Sequence, residues 1–71
     1  MRLRELREDR DLRQKDLANV LNVNQNTYSN YENEKTEPPY SVLKQLCLFY
    51  GVSADYILEL PKGLPYPERN P

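Results

Sequence analysis

Between Leu17 and Tyr31 the chain carries no charged residue, yet it is dense in side-chain amides and hydroxyls, among them Asn24, Gln25, Asn26, Ser29 and Asn30. An Asn or Gln amide holds a donor and an acceptor side by side, the pair that meets N6 and N7 of adenine in the major groove of DNA. Arginine, which makes the strongest contact to guanine, is absent from this stretch. The chemistry on offer is recognition by hydrogen bonding. Catalysis is not expected: there is no histidine, no plausible metal cluster and no glycine-rich phosphate loop. The adjacent acids Glu8 and Asp9 belong to a charge run that solvation explains. No cofactor, metal ion or small-molecule ligand is called for.

The elements that must hold this face can be read from the apolar spacing. Leu17, Ala18 and Leu21 form an i, i+1, i+4 stripe on a helix expected over 14–21. Asn22 suits the left-handed residue that ends it. Asn24 is a good N-cap for a helix over 25–33. Two short helices joined by a tight Leu21-Asn22-Val23 turn have the form of a helix-turn-helix, whose second helix lies in the major groove. An amide-rich helix taken alone would better suit a solvated face; the flanking turn and Gln14 reverse that and favour recognition. Tyr28 and Tyr31, three apart and beside Leu17 and Leu21, are expected to pack in the core with a hydroxyl reaching the surface, rather than to form a base-stacking platform.

Three further helices complete an all-α reading with five helices. The first is expected over 2–9, with Leu3 and Leu6 inward. The fourth runs over 40–50, with Leu43, Leu46, Cys47 and Tyr50 inward, and Gly51 ends it. Ser53 caps a fifth over 54–59, with Asp55 well placed in its first turn. Residues 1–60 form the domain. Residues 61–71, with four prolines in eleven positions, are expected to be a flexible tail.

Seventy-one residues allow one small core. With 30% charged residues and a mean hydropathy of -0.90, the chain is expected to be soluble and cytoplasmic. No apolar run approaches the ~18 residues of a membrane span, and Met1 is followed by charge rather than an apolar signal region. Cys47 is the single cysteine, so no internal disulfide can form. A net charge of -1 and a pI near 5.3 are unlike a general nucleic-acid binder. Residues 1–35 hold seven Lys/Arg and seven Asp/Glu, so binding would rest on a few placed cations, helix N-termini and amides. A shallow salt dependence is expected.

From Leu3 to Leu58 the chain resembles the phage Cro and repressor-type (XRE-like) helix-turn-helix proteins. The resemblance is carried by LREL in helix one, Leu12, Gln14, the Leu17-Ala18…Leu21 stripe, Val23, YSNYENEK and GVSADYIL. It implies a compact lambda-repressor-like DNA-binding domain. It further implies that Gln25, Asn26 and Asn30 face bases, with Ser29 adding a lesser contact, so that half-sites are read mainly at A·T pairs. Gln14 matches the glutamine that bonds a backbone phosphate, helped by helix-end amides. Arg13, Asn24, Asn33 and Lys35 are likewise expected at phosphates. Arg7 and Glu32 match a pair bridging helix one to the end of the recognition helix. Three positions depart from the family: Glu34 stands where glycine is usual, Glu37 where a basic residue would help, and Arg13 where Ser or Thr caps helix two.

The expected function is a transcriptional regulator, of repressor type, acting on an inverted-repeat operator of double-stranded DNA as a homodimer, one formed in solution or only on DNA. Tyr56, Ile57, Leu58 and Leu60 exceed what one core face needs, and are assigned either to a dimer seam or to capping of a small core. The alternative is a protein-interaction module on the same fold, of antitoxin or anti-repressor type. The acidic balance, Glu34, Glu37 and the apolar last helix support it.

Overall fold

The computed structural model describes residues 1–60; the expectation of a flexible proline-rich tail over 61–71 lies outside them. Five helices follow one another: α1 (Leu3–Asp9), α2 (Gln14–Leu21), α3 (Gln25–Glu32), α4 (Tyr40–Tyr50) and α5 (Ala54–Leu58). Among the described residues there is no strand, and no helix is long and apolar enough to cross a membrane. α1, α3 and α5 are each one residue shorter than their apolar spacing suggests, because the residue after or before each makes the turn instead.

All five helices stop in the same way. A residue with positive φ follows each one: Asp11 (54°), Asn22 (57°), Glu34 (60°), Gly51 (68°) and Glu59 (59°). The amide beyond it reaches back to a carbonyl five residues earlier. These bonds run Leu12 to Arg7 (3.1 Å), Val23 to Ala18 (3.0 Å), Lys35 to Asn30 (2.9 Å), Val52 to Cys47 (3.1 Å) and Leu60 to Asp55 (3.0 Å). That geometry satisfies end carbonyls that would otherwise lack partners. Gly51 adopts it freely and Asn22 at modest cost, whereas Asp11, Glu34 and Glu59 hold a conformation their Cβ atoms disfavour. Nothing lies within 4 Å of a Cβ built on Gly51, so its value there is conformational rather than steric.

α2 packs on α3, and α4 packs on both α2 and α5. The core between them is Leu3, Leu17, Ala18, Leu21, Tyr28, Tyr31, Val42, Leu46, Tyr50 and Ile57. In α4 it is Val42 that is buried, while Leu43 and Cys47 are half-buried at the core's edge. Ile57 is a correction to the dimer-seam assignment: it is 0% exposed. In so short a helix a single side faces the core, and Ile57 supplies it while its carbonyl accepts the Arg2 amide at 2.9 Å. Burying a side chain of this size stabilises the fold by about 1.5–3 kcal/mol. Tyr56, Leu58 and Leu60 remain exposed.

Candidate nucleic-acid interface

α3 starts at Asn24, whose Oδ1 accepts from the Thr27 amide at 2.8 Å and from Thr27 Oγ1 at 2.9 Å. Such a cap contributes about 1 kcal/mol. Asn24 therefore spends its oxygen on the helix and keeps its NH2 group for an outside acceptor. The inner side of α3 is set by Tyr28 and Tyr31, buried in the core as their spacing suggests. The Tyr28 hydroxyl does not reach the surface: it is buried without a hydrogen-bond partner of normal geometry. Burial first, and then the nearby Glu32 carboxylate, raise its pKa and keep it neutral. Tyr50 is pushed up to about 12, by burial and then by the Glu32 charge.

With the tyrosines and Glu32 turned inward, Gln25, Asn26, Ser29 and Asn30 fall on the outer side of α3. Gln25 and Asn26 are exposed, Ser29 and Asn30 half-buried. The side chains of Gln25, Asn26 and Asn30 make no hydrogen bond among the described residues. The structure thus brings the four expected base-facing residues together on one polar surface, where Ser29 alone has a side-chain partner, accepting from Asn33 Nδ2 at 3.3 Å. The backbone oxygen of Asn30 accepts the amides of Lys35 (2.9 Å) and Thr36 (3.4 Å), which folds the following loop back beside them.

Glu32 ties this helix to the rest of the domain. Its side chain is 0% exposed. Arg7 donates to it twice, Nε to Oε2 at 2.8 Å and Nη2 to Oε1 at 3.0 Å. Arg7 Nη1 also donates to the Leu12 carbonyl at 2.9 Å, so one guanidinium fixes α1, the α1–α2 connection and the end of α3. A planar fork of this kind suits a bidentate carboxylate. Gln14 Nε2 donates to Glu32 Oε1 at 3.4 Å, bringing in the first turn of α2. Burial would push the Glu32 carboxyl up, but the hydrogen bonds from Arg7, its charge and Gln14 outweigh it, and the pKa is lowered. Arg7 is raised in turn, chiefly by its bond to Glu32.

The residues expected at phosphates sit at helix ends: Arg13 and Gln14 at the start of α2, Asn24 at the start of α3, and Asn33 and Lys35 just past its end. Arg13 is exposed at the start of α2, and its amide donates to Asp16 Oδ2 at 2.8 Å. That bond, then the Arg13 charge, hold the Asp16 carboxyl below its usual value. Since an arginine side chain has no acceptor, only this half of a capping box forms, and it partly replaces the missing Ser/Thr cap. Gln14 keeps one amide proton beyond its contact with Glu32. Lys35 is exposed and in no ion pair among the described residues. Glu34 adopts the left-handed conformation expected of its position and meets the Met1 ammonium. That ammonium lowers the Glu34 pKa through its hydrogen bond and its charge.

One residue joins the site although its spacing places it on the outer surface of helix one, a turn from Glu8. Arg4 donates from Nη2 to Asn33 Oδ1 at 2.8 Å and from Nε to Glu32 Oε1 at 3.3 Å. It thereby joins α1 to the last turn of α3. Its place one turn before Arg7 was the only available signal. Among the described residues, no group of His, Cys, Asp and Glu could hold a metal ion.

A helix-turn-helix domain family matches residues 1–63. The cryptic phage CTXphi transcriptional repressor RstR of Vibrio cholerae is 41% identical over 51 residues, covering 72% of this chain and 46% of its own. The HTH-type transcriptional regulator ImmR of Bacillus subtilis is 40% identical over 57 residues, 80% of this chain and 45% of its own. YobD, an uncharacterized HTH-type transcriptional regulator of the same organism, is 41% identical over 59 residues, 83% of this chain and 53% of its own. The chain thus spans about half the length of the curated relatives it matches. No solved structure matches it significantly. With the α2–α3 unit in place and the match running through all five helices, the chain belongs to the helix-turn-helix domain family.

Proposed function

We propose that this domain binds double-stranded DNA with sequence specificity and regulates transcription as a repressor, by occluding a promoter. The observation that carries the reading is the outer side of α3, an uncharged surface of amides and a hydroxyl held rigidly from behind by Glu32 and two tyrosines. In this reading α3 lies in the major groove. Gln25, Asn26, Ser29 and Asn30 meet base edges, favouring A·T pairs. Arg13, Gln14, Asn24, Asn33 and Lys35 meet phosphates, which position the helix without reading sequence. The names of RstR and ImmR, a transcriptional repressor and a transcriptional regulator, support the assignment.

Two copies would read half-sites about 10 base pairs apart, joined through Tyr56, Leu58 and Leu60. Selection from a random duplex pool tests the proposal. An enriched inverted repeat is expected, with clear preference over scrambled DNA. Weak binding without enrichment would refute it.

A second reading is favoured by a specific observation. Tyr40 and Leu48 on α4 are 82% and 75% exposed, and with the exposed side of α5 they offer apolar surface suited to another protein. Under that reading the domain is a protein-interaction module, and the selection would return no motif.

A further inference from the structure

Ser29 lies one turn before Asn33, and Asn33 is gripped by Arg4 through its side-chain oxygen at 2.8 Å. A guanidinium carries donors only, so the amide can face Arg4 with nothing but its oxygen. The usual ambiguity between amide oxygen and nitrogen is thereby resolved by chemistry. The Asn33 NH2 group must point the other way, and it donates to Ser29 Oγ at 3.3 Å. Ser29 is therefore an acceptor toward the protein. Helical serines often turn their own proton back to the carbonyl four residues earlier, but no such bond to Gln25 is made among the described residues. The proton of Ser29 is left for an outside acceptor.

We propose that the Arg4–Asn33–Ser29 chain sets the polarity of Ser29, so that it meets DNA as a hydrogen-bond donor and acts as a specificity-determining residue. It selects a base with an acceptor on its major-groove edge, guanine and thymine foremost because adenine pairs its N7 acceptor with the N6 donor, against cytosine, which presents only a donor there. Arg4 is the positioning residue, acting through Asn33. This inference rests on the reading that α3 enters the major groove.

The experiment compares operator duplexes carrying each base at the position where Ser29→Ala changes the selected motif. Wild-type protein is expected to favour guanine or thymine over cytosine by about fivefold, the effect of one net hydrogen bond. Asn33→Asp is the decisive variant. A carboxylate accepts from Arg4 and from the Ser29 hydroxyl alike, so the serine turns its proton inward and shows the DNA only lone pairs. The preference should then reverse toward cytosine or adenine. The added negative charge weakens binding to every sequence, but it cancels in the ratio between bases. Asn33→Ala, which leaves the hydroxyl free to rotate, should bring the ratio close to one, as should Arg4→Met.

An Asn33→Asp variant that keeps the wild-type ratio would overturn the assignment of polarity while leaving α3 as the reading helix. A Ser29→Ala variant with an unchanged motif at every position would also overturn it. Failure of the wild-type protein to select any motif would instead remove the major-groove reading itself, and the inference with it.

Discussion

The α2–α3 unit and the α4–α5 end of the molecule are built from similar lengths of helix but sort their side chains in opposite ways. In α2–α3 the large apolar groups are inside, Val20 excepted, and the outer side of α3 is made of amides and hydroxyls. In α4–α5, Tyr40, Leu48, Tyr56 and Leu58 are left outside, followed by Leu60. One surface can exchange its hydrogen bonds with water for bonds to a polar partner at little net cost. The other gains only by removing apolar area from water. A single small domain thus presents one end suited to nucleic acid and one suited to protein. Glu32 and Arg7 tie α3 to α1 at the first end through a buried ion pair. At the second, α5 is held by packing, the Arg2–Ile57 backbone bond, Arg2 over the Tyr56 ring (4.9 Å) and the exposed Glu59 carboxylate against the Met1 ammonium (3.3 Å).

Removing Glu32 should break this contrast most severely. Glu32→Ala leaves the Arg7 guanidinium, itself largely buried, without its partner, and loss of one member of a buried pair typically costs ~3 kcal/mol. Chemical denaturation should show a loss of that size, with the Arg4–Asn33 bond left as the polar link between α1 and the end of α3. The same pair sets a dependence on acid. The pKa of Glu32 in the folded protein is below its usual value of 4.5, so as pH falls the unfolded chain takes up the proton first. The stabilisation is therefore complete above that value and drains away as pH drops through the folded-state pKa. Compared with Glu32→Gln, wild-type protein should be more stable at neutral pH, and the gap should close in acid. A gap independent of pH would mean that shape rather than charge holds the helix.

The two ends also differ in how much could be read in advance. The bounds of α2 and α4 were legible because their stop residues, Asn22 and Gly51, are types that favour positive φ. Asp11 and Glu59 adopt the same conformation without any such signature, since a turn imposed by packing can override residue preference. Arg7 and Glu32 could be paired only through family resemblance. Spacing places Arg4 on the outer surface of α1, and nothing in it separates a surface arginine from one that reaches across to α3. Ile57 stays open between a dimer seam and the core in the sequence, because so short a helix contains too few turns for periodicity to tell its faces apart. The amide surface, by contrast, was legible as a run without charge.

The proposed division of labour is sharpened next by changing each surface separately. Asn30→Ala or Gln25→Ala should cost about 1–3 kcal/mol of operator binding and relax preference at one base pair, with stability unchanged. Competition titrations against single-base variants measure this directly. Equal losses on all sequences would mean that these amides do not read bases. Leu58→Asp should have a smaller, differently shaped effect. It should abolish cooperative binding to two half-sites and shift the sedimentation of the protein toward monomer, while affinity for an isolated half-site stays the same. Its neighbour Ile57→Asp serves as the opposite control, because a charge at that buried position should unfold the domain.

The smallest effect is expected at Glu34, where the two ends meet. Its backbone sits at φ 60° and its carboxylate contacts the Met1 ammonium. Glu34→Gly relieves the left-handed strain but loses that contact, and it frees the unfolded chain as well. The contact is exposed and screened, so it should contribute little. These contributions oppose one another, and thermal melting should move only slightly. DNA binding should respond more clearly: Lys35 follows directly, and removing a negative charge beside it strengthens attraction to phosphate on every sequence alike. The expected result is a uniform gain of about twofold to threefold at low salt that fades as salt rises. A gain confined to one sequence would place Glu34 among the residues that read bases, and the polar end would then extend past α3 into its loop.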